Sequence, residues 1–151
     1  MRRKDREITD RAEIETIIAK AQVCRLAMAH ENLPYIVPLC FGYKDNALYF
    51  HSANTGKKLD ILKENREVCF EFDIDCEVRK GSEACEWGML FRSVIGHGRA
   101  SFVESSAAKR RALDIIMRQY GSNQTGYPDA KVRNTVVIRV DIDSMTGKFC
   151  Q

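Results

Sequence analysis

The sequence predicts a mainly β fold, an antiparallel β-barrel with flanking helices. Three observations carry this. Short alternating segments follow one another across turns at 23–29, 35–43 and 47–51, as in an antiparallel meander. Strands outnumber helices, and the regular β-α alternation of a parallel sheet is missing. The strand region 89–103 is interrupted by Gly96 and Gly98, and glycines inside a strand mark a bulge or a barrel corner. About six strands and three helices result, and closing such a sheet hides its edges.

Asp10 followed by Glu13 makes a capping-box pattern. Ile14, Ile17, Ile18 and Ala21 then recur at helical spacing, so 10–21 reads as an amphipathic helix. Segments 23–29, 35–43 and 47–51 are the first three strands, with turns at 30–34 and 44–46. Thr55 is placed to cap a helix over 55–65, whose apolar side holds Leu59, Ile61 and Leu62. Residues 66–73 form a fourth strand, and the charged stretch 74–87, with Gly81, reads as a loop. After strand 89–103, Ser105 or Ser106 caps a helix through Tyr120 with Leu113, Ile116, Met117 and Tyr120 on one face. Residues 121–134 read as a polar loop and 135–142 as the last strand.

A chain of 151 residues sets the expectation of one domain over 1–151. Its net charge of +3 suits a small anion better than nucleic acid, which asks for a basic stripe. No apolar run approaches the ~20 residues that span a membrane. No apolar signal segment follows Met1-Arg2-Arg3-Lys4-Asp5-Arg6, so the expected compartment is the cytoplasm. The Arg2 to Arg6 cluster reads as a solvated surface. No two of the six cysteines make a C-x-x-C pair, so no metal site is expected. Cys24, Cys40 and Cys69 lie in apolar runs and read as small core hydrophobes. Cys76 and Cys85, in a polar stretch, are the candidates for reactive thiols.

The segment His51-Ser52-Ala53-Asn54-Thr55-Gly56-Lys57-Lys58 carries the strongest chemical signal. It leads from a strand into a helix, whose first turn exposes unpaired N–H groups and the positive end of its dipole. Such a start binds phosphate. Thr55 adds a hydroxyl, Gly56 a close backbone approach, and Lys57 and Lys58 charge. The same residues also describe an ordinary strand-to-helix turn with two solvated lysines. His51, at the strand end, reads either as a proton donor or as a structural histidine. His30 and His97 lack metal-ligand spacing with it. Pro38 cannot donate to a ladder and marks an edge or a bulge.

Taken together, four segments resemble the FMN-binding split barrels of the pyridoxamine 5'-phosphate oxidase superfamily, nearest to its Nim-type 5-nitroimidazole reductase branch. They are Pro34-Tyr35-Ile36-Val37-Pro38-Leu39, Tyr49-Phe50-His51 leading to Gly56-Lys57-Lys58-Leu59, Arg92-Ser93-Val94 with Gly98, and Thr146-Gly147-Lys148. The resemblance runs in order over about residues 1–148. It implies a six-stranded split barrel and a homodimer with FMN at the subunit interface. Ile36, Val37, Pro38 and Leu39 would line the flavin; Phe50, His51 and Ser52 would lie beside it. Thr55, Gly56, Lys57 and Lys58 would take the phosphate. Ser93 and Val94 would meet the flavin, with Met145 and Lys148 approaching from the other subunit. His51 matches an active-site histidine of the Nim branch.

Two departures narrow this expectation. Ile36 stands where the oxidases carry an arginine, so phosphate binding leans on the loop. The oxidases' arginine- and histidine-rich C-terminal substrate segment has no counterpart up to Gln151, so pyridoxine phosphate is not the expected substrate. The implied function is an FMN-dependent oxidoreductase passing electrons from a small donor to a small, nitro-aromatic type of acceptor. The alternative is a flavin- or haem-binding carrier or sensor without turnover. No Gly-x-Gly-x-x-Gly segment offers a built-in nicotinamide site.

Overall fold

The computed structural model describes residues 3–150. A 3₁₀ turn at Lys4–Arg6 leads through β1 (Glu7–Ile8) to α1 (Arg11–Lys20). Strands β2 (Cys24–His30), β3 (Leu33–Leu39), β4 (Gly42–Lys44) and β5 (Ala47–Ser52) follow, then α2 (Lys57–Glu64). The chain continues through β6 (Glu67–Arg79), β7 (Gly88–Val103), α3 (Ser106–Gln119), α4 (Asp129–Arg133) and β8 (Val136–Cys150). The strands form one antiparallel sheet in the order β3-β2-β6-β7-β8-β5-β4, with β1 also on β8. No described helix is long and apolar enough to cross a membrane.

The sheet has eight strands rather than six. One addition is the two-residue β1, too short for a periodic signal. The other comes from segment 35–43, which breaks at Cys40 and Phe41 into β3 and β4. These strands lie at opposite ends of the sheet order. A chain that passes from one edge to the other in two residues forces the edges together, and the sheet curls into a split barrel. Phe41 anchors that passage. Its ring is fully buried, 4.8 Å from the Phe72 ring, and its N–H donates to the Tyr120 hydroxyl at 3.0 Å.

Local chemistry sets the two hairpins. Glu31 and Asn32 lie between paired His30 and Leu33, and Asp45 and Asn46 between paired Lys44 and Ala47. All four have φ between +50° and +62°, the sign that a two-residue type I′ hairpin demands. Asn46 is held further: it donates to Ile142 O at 2.9 Å and accepts from Arg11 at 2.7 Å. The barrel core gathers Leu26, Phe50, Phe70, Phe72 and Val94, and Ile14, Ile17 and Ile18 of α1 join the same buried cluster.

Several boundaries move. Asp10 caps α1 by accepting from Ala12 N, whereas Glu13 turns to Arg92 at 3.6 Å and does not close the box. Gly56, not Thr55, is the N-cap of α2. The expected loop 74–87 is paired as far as Arg79, past a bulge between Ile74 and Glu77. That arm is exposed on both faces, so no burial pattern marks it. β8 runs eight residues beyond Ile142, held by β7 through a register shift at His97/Gly98 that fits the glycine-marked bulge. Ser105 caps α3, and a short helix, α4, interrupts the expected loop 121–134. Cys40 is exposed rather than core. Of the basic cluster, Arg2 lies outside the described residues; Arg3 pairs with Asp5 at 2.7 Å on the surface.

α3 touches the barrel at Gly42, where a Cβ would stand 2.7 Å from Ile116 N and 2.8 Å from the Ile115 carbonyl carbon. Backbone cannot yield as a side-chain tip can, so Gly42→Ala is expected to cost about 1–3 kcal/mol by overpacking. Phe41→Ala is expected to cost about 3–5 kcal/mol, the scale for an emptied aromatic core site. Urea unfolding of both variants checks these values.

Candidate functional site

The split in the barrel follows from pairing. β3 bonds to β2 alone, and β4 stops pairing with β5 at Tyr49. Residues 50–52 keep a strand partner only in β8. Each edge therefore presents backbone groups without a ladder partner. The start of α2 stands at this opening: the Lys57 ammonium lies 4.7 Å from the Tyr35 ring centroid, within cation–π range. One contact thus joins the strand 35–39 to the loop 51–58.

The loop is shaped by Gly56, at φ 136° and ψ 157°, a region that side chains with a Cβ avoid. Leu59 N–H and Asp60 N–H both bond to Gly56 O, at 2.9 and 3.3 Å. The N–H groups of Lys57 and Lys58 precede the first helical bond and have no helical acceptor. No side chain caps the helix. Thr55 and Lys57 are exposed, while Lys58 is partly buried, and that burial lowers its pKa from the ordinary lysine value. Two cations, a hydroxyl and two free N–H groups at one helix start are the donor set a phosphate takes.

The other expected site residues divide by face. Val37 and Leu39 pack toward the core, and Ile36 and Pro38 are exposed. Pro38 lies on the edge strand that its missing N–H indicated. Phe50 is fully buried, so its backbone alone reaches the open edge. His51 is exposed and shares the outward face of β5 with Tyr49, while Ser52 turns inward at 8% exposure.

A second group lies elsewhere. Ser93 pairs with Lys148, Val94 with Gly147 and Gly96 with Met145. Ser93 is nearly buried, Val94 is in the core, and Met145 packs on it. The Lys148 ammonium stands 5.5 Å from the Phe91 ring centroid. Ser52 pairs with Val136, twelve residues before Lys148 on β8, a path of about 40 Å in extended chain. The fold of one chain brings the loop to β3 and keeps this group on the far reach of β7 and β8.

Sequence reasoning missed Tyr35 as the seat of Lys57. In the sequence it is only the start of the strand 35–43 and a member of the segment 34–39. The described residues contain no cluster of three or more metal-ligating side chains.

The comparisons with known proteins bear on this geometry. Residues 10–149 match the pyridoxamine 5'-phosphate oxidase family. A candidate 5-nitroimidazole antibiotic resistance protein of Bacteroides thetaiotaomicron is 39% identical, over 95% of this chain and 86% of that one, with a TM-score of 0.85. The FAD and haem binding protein of Mycobacterium smegmatis aligns at TM-score 0.86 and 17% identity, over 97% and 74% of the two chains. The flavocytochrome Anf3 of Azotobacter vinelandii aligns at 0.85 and 17%, over 100% and 72%. At that identity the last two show the shared fold. An uncharacterized Rhizobium meliloti protein is 31% identical over 64 residues, and the match spans 42% of its length and 42% of this chain. Since the family match takes in α1 through β8, with both groups of residues described above, this chain belongs to the pyridoxamine 5'-phosphate oxidase family.

Proposed function

We propose that this chain is an FMN-dependent oxidoreductase, one FMN-binding domain over 1–151 that works as a cytoplasmic homodimer. It moves electrons from a small-molecule donor to a small acceptor of the nitro-aromatic class, and it engages neither nucleic acid nor membrane. The observation that carries this reading is the contact between Lys57 and Tyr35, which sets an anion-binding helix start against an open strand edge. The 39% identity to the Bacteroides protein, whose name concerns nitroimidazole resistance, supports the choice of acceptor.

The residues fit an FMN group by their donor chemistry. Lys57 and Lys58, their N–H groups and the Thr55 hydroxyl hold the phosphate. The free edges at Ile36, Val37, Pro38 and Leu39 and at residues 50–52 offer backbone groups to the rim of a flat ring. FMN, when bound, supplies the electron-transfer chemistry, and the protein supplies position and charge. His51, exposed beside the loop, donates a proton to the reduced acceptor. Ser93 and Val94 lie on the strand that meets the flavin, and Met145 and Lys148 approach the site from the second copy.

A second reading, a flavin- or haem-binding carrier or sensor, is favoured by the fold shared with haem-containing proteins. The absorption spectrum of the freshly purified protein separates the two: flavin bands support the first, and a Soret band without flavin sinks it.

Replacing Lys57 and Lys58 together by Ala is expected to weaken FMN binding by about 1–3 kcal/mol, the scale of lost charge-assisted hydrogen bonds. Fluorescence titration reads this, and unchanged affinity removes the phosphate assignment. His51→Ala is expected to retain FMN and lose turnover under anaerobic assay. Full turnover with every acceptor makes His51 structural.

A further inference from the structure

A second cleft lies away from the loop, between α3 and the β4–β5 hairpin. Its volume is about 410 Å³, within the range of small-molecule sites. Lys44 and Arg139 line it from the sheet, and Arg111 and Arg118 from α3. Arg111 and Arg118 are seven residues apart, two helical turns, and so share one side of the helix. Their neighbour Arg110 is paired with Asp129, but neither Arg111 nor Arg118 has a carboxylate partner among the described residues. Arg139 is held by Asp141 at 2.5 Å and lies 5.8 Å from the centroid of the Tyr49 ring, which also lines the cleft.

Lys44 stands 3.9 Å from Asp45 and Arg139 is held by Asp141, so Arg111 and Arg118 are the cations left to face Asp114 across the concave surface. Walls of like charge around a cleft raise its potential and concentrate anions there. Asp114 adds a distinct signal. Its Oδ1 and the Tyr127 hydroxyl are both buried and face each other, and burial together with the neighbouring carboxylate pushes the Tyr127 pKa up. A carboxylate accepts several bonds, so one from Tyr127 would leave room for another donor.

We propose that this cleft binds a phosphorylated small molecule that also carries hydroxyl or amino donors, at a site separate from the Gly56-Lys57-Lys58 loop. Arg111 and Arg118 take the phosphate oxygens, Lys44 and Arg139 complete the positive wall, and Asp114 accepts from the donor.

The test is calorimetric titration of the full-length chain with ADP at low salt, with adenosine as the uncharged control. ADP is expected to bind at one site and adenosine not to bind. Changing Arg111→Gln together with Arg118→Gln is expected to lower ADP affinity at least tenfold, about 1.4 kcal/mol. Both side chains are exposed, so the fold should persist, which circular dichroism verifies. The Lys57→Ala, Lys58→Ala variant is expected to bind ADP as the parent does, whatever its affinity for FMN. The proposal is overturned if the parent does not bind ADP, if binding survives loss of both arginines, or if it vanishes with the two lysines.

Discussion

The passage through Cys40 and Phe41 joins the two ends of one sheet, and most of the architecture depends on it. β3 and β4 are sequence neighbours and sheet extremes. Two residues span only about 7 Å of extended chain, so the sheet has no choice but to roll up. A fully hydrogen-bonded closure would require β3 to pair along β4 and β5. The corner at Phe41 sends β4 under α3 instead, and a gap lined by backbone is left beyond Tyr49. The buried Phe41 ring holds that corner against Phe72.

The same constraint relates the core to the site. Phe50 fills the barrel with its side chain while its backbone borders the gap. Val37 and Leu39 pack inward from the opposite edge. Residues that stabilise the fold therefore also fix the spacing of the two open edges, and α2 is carried to the gap because β5 ends there. Asn65 ties the far end of α2 to the sheet, donating to Ala29 O at 2.8 Å and accepting from Glu67 N at 3.0 Å. The helix start is thereby braced from its other end.

The β-rich class, the hairpins and the loop 51–58 were legible because each has a local cause. Alternation, paired positive-φ residues and a glycine before two lysines all act within a few positions. The corner at Phe41 was not legible, since Tyr35 to Tyr43 reads as unbroken alternation and only tertiary closure divides it. The extensions of β6 and β8 were hidden for another reason. Beyond Ile74 the β6 arm is exposed on both faces, and in β8 beyond Ile142 the packed residues Met145 and Phe149 are interrupted by Thr146, Gly147 and Lys148, so neither leaves a regular pattern. Within the site, position along the chain identified candidates but could not assign faces. It could not separate the inward Ser52 from the outward His51, nor show that Ser93 on β7 and Lys148 on β8 pair far along the strands from the loop.

The open edge of β3 is poor in hydrogen-bond donors. Alternate residues of a strand direct their N–H groups to the same side. Pro34 and Pro38 have none to offer, and Ile36 between them keeps a single donor on that side. A small molecule with a few polar atoms can still find partners there. Another strand, which needs donors at regular intervals, cannot extend the ladder. The two prolines thus protect the molecule from edge-to-edge misassembly at the place where its barrel is left open, and a chain with ordinary residues at both positions would expose a template for aggregation.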